Sequence, residues 1–93
     1  MFKRVLIRIR DKIRTRQYIM TEHARKEMND DRLTVFAVEY AILTGEILER
    51  QRDHETLEPK YRIRGKSIEG ESIETVVKMS PTGKAVIMTV YKI

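Results

Sequence analysis

One short segment, residues 60–66, strongly limits how this chain can fold. Its sequence is Lys-Tyr-Arg-Ile-Arg-Gly-Lys, so every second residue is basic. Because side chains on a β-strand alternate between its two faces, this spacing predicts a strand with four cations on one face. Tyr61 and Ile63 then point to the other face, where a core can form. Four like charges in a row repel one another, and an anionic ligand is the simplest reason for keeping them.

Three other segments predict strands that neighbour this one. Residues 46–51 precede it, and residues 72–79 and 84–91 follow it; the last of these is rich in β-branched residues. Turn-forming residues at 67–71 and 80–83 separate the last three strands, which is typical of hairpins. Short connections join antiparallel neighbours, so the pattern predicts an antiparallel four-stranded meander.

The hairpins also predict a register, because closing each turn symmetrically sets which residues face each other. This places Arg64 opposite Glu74 and Val77 opposite Val86. The apolar face predicted to pack against helices contains Tyr61, Ile63, Ile73, Thr75, Val77, Met79, Val86, Met88 and Val90. The other face, predicted to be open, contains Arg62, Arg64, Glu74, Val76, Lys78, Ile87, Thr89 and Tyr91.

Three segments before residue 46 predict helices. Residues 1–16 combine apolar residues at helical spacing with a basic face. Thr21 suits the N-cap of a second helix, which ends near residue 30. Thr34 suits the N-cap of a third helix, over 35–44, which we expect Gly45 to end in a left-handed conformation. Residues 17–20 predict a short strand or an extended entry to the second helix.

The predicted fold is α+β, with two to three N-terminal helices packed on one face of the four-stranded meander. A length of 93 residues and a hydrophobic content of 41% fit one small domain with a core. We divide the chain into a basic amphipathic N-terminal helix, residues 1–17, and a single α+β domain, residues 18–93.

The net charge of +5 is unevenly distributed. Residues 1–17 contain seven basic residues and one acidic residue, so they carry +6 and the rest of the chain carries −1. A basic amphipathic helix could contact anionic lipid, RNA or an acidic protein, or it could be a packing helix with a solvated face. Because the body of the domain is close to neutral, the high net charge alone does not indicate nucleic-acid binding.

Several classes of protein are disfavoured. The chain has no cysteine, which excludes disulfides and thiolate metal sites, and its two histidines are too far apart in sequence to suggest a metal site. It has no apolar run of membrane-spanning length and no signal-peptide pattern. We therefore predict a cytoplasmic protein with no bound metal, no cofactor and no membrane association.

The open face carries side chains suited to phosphodiester chemistry. Arg62, Arg64 and Lys78 could hold a phosphate and stabilise the charge that develops on phosphorus. Glu74 could be a general base toward a ribose 2′-hydroxyl, or it could simply neutralise Arg64. Tyr91 could donate a proton or stack on a base. The same residues could bind RNA without cleaving it, or form cross-strand ion pairs that contribute about 0.2–1 kcal/mol each.

Further candidates lie on other elements. His23 falls in the first turn of the second helix, where the helix dipole disfavours the imidazolium and leaves a neutral ring that can accept a proton. The alternative is a histidine that only orders this turn. Lys60, Lys66 and Arg50 are the additional cations predicted to bind RNA.

Several motifs together resemble a known family. They are Thr-Glu-His-Ala-Arg-Lys-Glu-Met at 21–28, Thr-Gly-Glu-Ile-Leu-Glu at 44–49, Val-Val at 76–77 and Thr-Val-Tyr at 89–91. Their order and spacing, over about residues 18–91, resemble the domain of unknown function 4258 family of bacteria and archaea. That family is similar to the RelE-like and MqsR-like toxins. The resemblance implies a RelE-toxin-like fold, RNA cleavage without metal, and a small zinc-finger antitoxin as partner.

Only part of the family pattern carries over. His23 and Tyr91 match its histidine and its terminal tyrosine, but the histidine that often precedes the Val-Val pair is missing here. The N-terminal helix lies outside the resemblance and could be an antitoxin dock, an RNA arm or a homodimer contact. The leading prediction is a toxin-type ribonuclease in which His23 or Glu74 is the base. The alternative is a non-catalytic module whose basic surfaces bind RNA or protein.

Overall fold

Three helices and five strands make up the fold. The computed structural model describes residues 1–93. The elements are α1 (Lys3–Arg14), β1 (Tyr18–Met20), α2 (Glu22–Asp30), α3 (Val35–Thr44), β2 (Glu46–Arg52), β3 (Pro59–Lys66), β4 (Ser72–Met79) and β5 (Ala85–Lys92). The α+β class is therefore confirmed, with three helices.

The sheet is mixed, with the strand order β1-β5-β4-β3-β2. Strands β2 to β5 pair antiparallel with their neighbours, whereas β1 pairs in parallel with β5. The prediction of a four-stranded, wholly antiparallel sheet was therefore wrong. A strand of three residues carries almost no periodicity, and the partner of β1 lies at the far end of the chain, so its pairing left no local signal.

The two predicted threonine N-caps are confirmed. Thr21 Oγ1 accepts a hydrogen bond of 3.1 Å from the Ala24 N–H at the start of α2. Thr34 Oγ1 accepts an equivalent bond of 3.1 Å from the Ala37 N–H at the start of α3. Each cap satisfies one backbone donor that a helix cannot satisfy internally, which is why the beginnings of these two helices could be predicted.

The role predicted for Gly45 was wrong. Its backbone is extended, with φ −88° and ψ −175°, and not left-handed. A Cβ atom at Gly45 would lie 2.5 Å from the Ala41 carbonyl oxygen and 2.6 Å from that of Arg64. Glycine is therefore required here because α3 and β3 approach closely, and not because the helix needs a left-handed stop.

Helix α2 covers the part of β5 that β1 leaves unpaired. Strand β1 pairs only with residues 85–87. Beyond them, Glu27 Oε1 accepts a hydrogen bond of 3.1 Å from the Val90 N–H. Asp31 Oδ2 accepts one of 2.7 Å from the Lys92 N–H. Two carboxylates thus satisfy edge donors that would otherwise be available to another strand.

The core lies between the helices and one face of the sheet. Helix α1 contributes Ile9 and Ile13, which are buried against residues from the other two helices and from β3, β4 and β5. The remaining buried members are Ala24, Leu33, Val38, Ala41, Ile42, Ile63, Ile73, Val77, Ala85, Ile87 and Val90. The helices therefore occupy one face of the sheet and leave the other face open.

The predicted register was right for one hairpin and wrong for the other. Arg64 pairs with Glu74, as expected. Val77 pairs with Ile87 and not with Val86, because the turn pairs Met79 with Ala85; the register then shifts by a further residue between Val77 and Val76. A β-bulge of this kind inserts an unpaired residue and reverses which side chains face the core. Because of the turn pairing, Ala85 and Ile87 take the core positions that were predicted for Val86 and Met88.

Candidate functional site

A buried carboxylate stands at the centre of the open face. Glu74 is only 2% exposed although it lies on the face that no helix covers. Two strand pairings place it: Arg64 is its partner on β3, and Tyr91 is its partner on β5. Arg62 lies two residues along β3 from Arg64, on the same face. These four residues form what we name the Glu74 cluster.

Glu74 accepts four hydrogen bonds within this cluster. Its Oε1 accepts one from Arg62 Nη1 and one from the Tyr91 hydroxyl, both of 2.7 Å. Its Oε2 accepts two from Arg64, of 3.0 Å from Nε and 2.8 Å from Nη2. Both oxygens thus have two donors each, which accounts for the lone pairs of the carboxylate.

The cluster sets the protonation states of its own members. Burial raises the pKa of Glu74, but the hydrogen bonds from Arg62, Tyr91 and Arg64 outweigh burial and lower it to about 2. Burial and the hydrogen bond to Glu74 raise the pKa of the Tyr91 phenol. At neutral pH the carboxylate is therefore ionised with no free lone pair, and the phenol keeps its proton.

Both arginines keep hydrogen-bond donors for another partner. A guanidinium has five N–H groups. Arg62 uses one on Glu74 and one, at 3.2 Å, on Glu49, while Arg64 uses two on Glu74. Three N–H groups therefore remain on each side chain. Because Glu74 fixes both guanidinium groups, these free donors are held in place before any ligand arrives.

The other predicted cations differ in how far they are neutralised. Lys78 Nζ lies 3.1 Å from Glu58 Oε1, in an ion pair between β4 and the segment before β3. Lys60 and Lys66 lie on the open face with Arg62 and Arg64, as the strand pairings require, and neither makes an ion pair. Arg50 pairs with Tyr61, on the face where the helices lie.

His23 is not part of the Glu74 cluster. Its side chain is 70% exposed, and its Nε2 lies 3.3 Å from Glu27 Oε1, one turn along α2. It makes no hydrogen bond with Glu74 or Tyr91. The structure therefore brings together Arg62, Arg64, Glu74 and Tyr91 from the predicted catalytic set, places Lys78 in a separate ion pair, and leaves His23 on α2.

Glu49 and Glu58 are site residues that the sequence did not reveal. Glu49 binds Arg62 and Glu58 binds Lys78. Strand β2 contains a bulge between Ile47 and Glu49, so its adjacent apolar residues gave no consistent alternation. The alternation of Glu49 and Gln51 beyond the bulge is the sequence signal that places Glu49 beside the cations of residues 60–66.

The comparison with family models gives a clear result. The Domain of unknown function (DUF4258) model matches residues 20–92. The chain belongs to this family. The DUF4258 match includes the Glu74 cluster and His23, but it leaves out α1. Comparison with curated proteins found no significant match, and neither did comparison with solved structures.

The DUF4258 domain and its N-terminal helix contain neither a cluster of metal-binding side chains nor a membrane-spanning helix. No group of three or more His, Cys, Asp or Glu side chains is placed to hold a metal ion together. None of the three helices combines the length and the apolar character needed to cross a membrane.

Proposed function

We propose that this DUF4258 protein is a metal-independent ribonuclease of the toxin class that binds the RNA backbone at the Glu74 cluster. The observation that carries the proposal is the pair of fixed guanidinium groups with three free N–H groups each. Arginine forks match the geometry of phosphate oxygens. Fixed donors also stabilise charge that develops on phosphorus better than mobile ones, because they need no reorganisation during the reaction.

The chemistry assigns different roles within the site. The ribose 2′-hydroxyl attacks phosphorus, a base removes its proton, and the bond to the 5′-oxygen breaks as that oxygen is protonated. The products are a 2′,3′-cyclic phosphate and a 5′-hydroxyl. Tyr91 is the candidate to protonate the leaving oxygen, because its hydroxyl keeps its proton at neutral pH; since that hydrogen is donated to Glu74 Oε1, this hydrogen bond has to break for the transfer.

The base is better assigned to His23 than to Glu74. The Glu74 carboxylate already accepts four hydrogen bonds, and its pKa of about 2 makes it a poor proton acceptor. An imidazole accepts protons near neutral pH. In this proposal Glu74 holds Arg62 and Arg64 in position, and His23 reaches the RNA from α2 once substrate lies across the open face.

The toxin class also implies partners. A small zinc-finger antitoxin would mask the open face in the cytoplasm, and the resemblance to RelE-like and MqsR-like toxins supports this part of the proposal. A homodimer is a further proposed assembly. Neither partner is needed for the RNA contact itself, so this contact can be tested with the purified chain alone.

A second candidate is a non-catalytic module that binds RNA through the same surface. Two observations favour it: His23 makes no contact with the Glu74 cluster, and no lone pair of Glu74 is free to accept a proton. The two candidates share the phosphate contact and differ only in whether a bond is broken.

Cleavage in a chelator separates the two candidates. We expect the purified protein to cut single-stranded RNA in EDTA and to leave 2′,3′-cyclic phosphate ends, detected by gel electrophoresis and mass spectrometry. His23→Gln should lower the rate constant about 10-fold without changing RNA affinity; this is below the usual effect of a general base, because the histidine is exposed. Intact RNA after prolonged incubation would rule out the nuclease and leave the binding module.

The RNA contact itself is tested by replacing both arginines. Arg62→Gln with Arg64→Gln should weaken binding of a 2′-O-methylated RNA oligonucleotide about 10-fold and reduce the slope of log K against log salt by about 1.4, since each phosphate contact on single strands contributes about 0.7. Fluorescence anisotropy at several salt concentrations measures both quantities.

The control for this double variant removes the same charge elsewhere. Arg25→Gln with Lys26→Gln neutralises two exposed cations on α2. If both double variants change affinity and slope equally, the contact is general electrostatic attraction and the Glu74 cluster has no special role. Because the arginines also hold Glu74, Arg64→Lys is a milder test: it keeps the charge, loses the fork, and should still weaken binding.

A further inference from the structure

Positive charge without a carboxylate partner is concentrated at the N-terminus. None of the cations of residues 1–17 forms a salt bridge, whereas Arg62, Arg64 and Lys78 all do. The only side-chain hydrogen bonds from these N-terminal cations are from Arg10 to the Gly45 carbonyl oxygen and from Lys12 to the side chain of Gln17. Residues 1–17 therefore hold half of the cations that form no salt bridge, although they are less than a fifth of the chain; the others are Arg25, Arg32, Arg50, Arg52, Lys60, Lys66 and Lys84.

Part of this charge lines a groove between the start of α1 and strands β2 and β3. The groove has a volume of about 660 Å³ and is bounded by Met1, Phe2, Lys3, Arg4, Val5, Arg50 and Tyr61. Three of these residues are cations and none is acidic. The volume lies within the range of about 300–1,000 Å³ that is usual for small-ligand sites.

Two aromatic rings contribute to the same groove. The centroids of Phe2 and Tyr61 lie 6.1 Å apart with an interplanar angle of 70°, an edge-to-face contact. Both side chains are half-buried, so each keeps part of its surface toward the groove. A basic groove with aromatic side chains is the usual arrangement in proteins that bind single-stranded nucleic acid, where bases stack on rings and cations follow the backbone.

An anionic membrane fits this surface less well than RNA. A helix that binds lipid inserts its apolar face below the headgroups. In this protein that face is occupied, because Ile9 and Ile13 are buried in the core. The exposed face of α1 is basic, with Ile7 as its exposed large apolar residue, so the helix offers charge without an apolar face that could insert.

We propose that this basic-aromatic groove, defined by Phe2, Lys3, Arg4, Arg50 and Tyr61, binds an unpaired nucleotide of single-stranded RNA. The three cations hold its phosphate and the rings hold its base. The proposal rests on the proposed function, since it names a second contact for the same RNA. Tyr61 adjoins Arg62 on β3 while facing the opposite side of the sheet, so RNA bound at the Glu74 cluster reaches the groove by crossing the edge strand β2.

The groove combines the family domain with an addition to it. Arg50 and Tyr61 lie within the DUF4258 match, whereas Phe2, Lys3 and Arg4 precede it. Neither part forms the groove alone. We infer that α1 extends the RNA contact of the domain and increases its affinity, while the chemistry stays at the Glu74 cluster.

The charge of the groove is tested with a triple variant. Lys3→Gln, Arg4→Gln and Arg50→Gln together should weaken binding of the 2′-O-methylated RNA about 20-fold and lower the salt slope by about 2, at about 0.7 for each lost phosphate contact. The matched control is Arg25→Gln, Lys26→Gln and Lys84→Gln, three exposed cations on α2 and in the turn before β5. We expect the control to change the slope by less than half as much.

The contribution of the aromatic rings to RNA binding is tested with a variant that keeps the charge of the groove. Phe2→Leu should weaken binding of the same RNA about 5-fold. The slope of log K against log salt should stay unchanged, because base stacking releases no counterions. This substitution should not change the binding of inorganic phosphate or of an abasic oligonucleotide of equal charge. Thermal melting of each variant confirms that the fold is retained.

The outcomes separate this inference from the proposed function. If the Arg62 and Arg64 double variant loses RNA binding and the groove triple variant does not, the proposal that the groove binds RNA fails and the proposed function stands. No RNA binding by the wild-type protein would overturn both. Equal binding of the wild-type protein to phosphatidylglycerol vesicles and to RNA, with both lost in the triple variant, would show a general polyanion surface and overturn the nucleotide assignment.

Discussion

Glu74→Gln is expected to lower the free energy of unfolding at pH 7 by about 2 kcal/mol. The carboxylate has a pKa of about 2, compared with an ordinary value of 4.5. At about 1.4 kcal/mol for each pKa unit, this difference corresponds to about 3 kcal/mol. Arg62 and Arg64 are 27% and 49% exposed, so water screens part of the attraction and reduces the expected effect.

The same variant should change how stability depends on pH. A carboxyl group whose pKa is lowered by folding stabilises the folded state above the ordinary pKa of that group. This contribution is lost as the pH falls through the folded value, which here means between about pH 4.5 and pH 2. The wild-type protein should therefore lose about 2 kcal/mol of stability over this interval because of Glu74. The glutamine variant should lack that loss.

Urea unfolding followed by circular dichroism from pH 2 to pH 7 measures both effects. Glu69→Gln is the matched control, because Glu69 is exposed in the turn between β3 and β4 and forms no ion pair. Its stability curve should follow that of the wild-type protein. Parallel curves for Glu74→Gln and the wild-type protein across this interval would show that the carboxylate does not hold the two arginines as described.

The Glu74 cluster shows how far sequence alone could identify the site. The alternation at residues 60–66 and one symmetric hairpin placed Arg64 opposite Glu74, and the structure has this pairing. What the sequence could not show is that Glu74 is 2% exposed and accepts four hydrogen bonds. Burial under two long side chains depends on their rotamers, which periodicity does not determine.

The misplaced parts of the sheet have two physical causes. Bulges at Leu48 and at Met88 each break the two-residue period that predicts which face a side chain takes. Strand β1 is too short to show a period at all. N-caps, by contrast, depend on one side chain and a backbone group three residues away, so Thr21 and Thr34 could be assigned from local sequence.

Gly65→Ala is expected to be the most damaging single substitution, with a loss of about 3 kcal/mol in the free energy of unfolding. A Cβ atom at Gly65 would lie 1.9 Å from the Ala41 carbonyl oxygen and 2.7 Å from its carbonyl carbon. These are backbone atoms in the last part of α3, so no rotamer change relieves the clash. Helix α3 would have to move away from β3, which opens the core around Ile42 and Ile63.

Gly70→Ala is the control, because it makes the same chemical change without a clash. Gly70 has a positive φ of 90°, and a Cβ atom there would meet nothing within 4 Å. Backbone strain alone should therefore cost about 1 kcal/mol. Equal losses for the two variants in urea unfolding would show that the contact between α3 and β3 tolerates a methyl group. A much larger loss at Gly65 would show that the close approach of α3 to β3 is what requires glycine at this position.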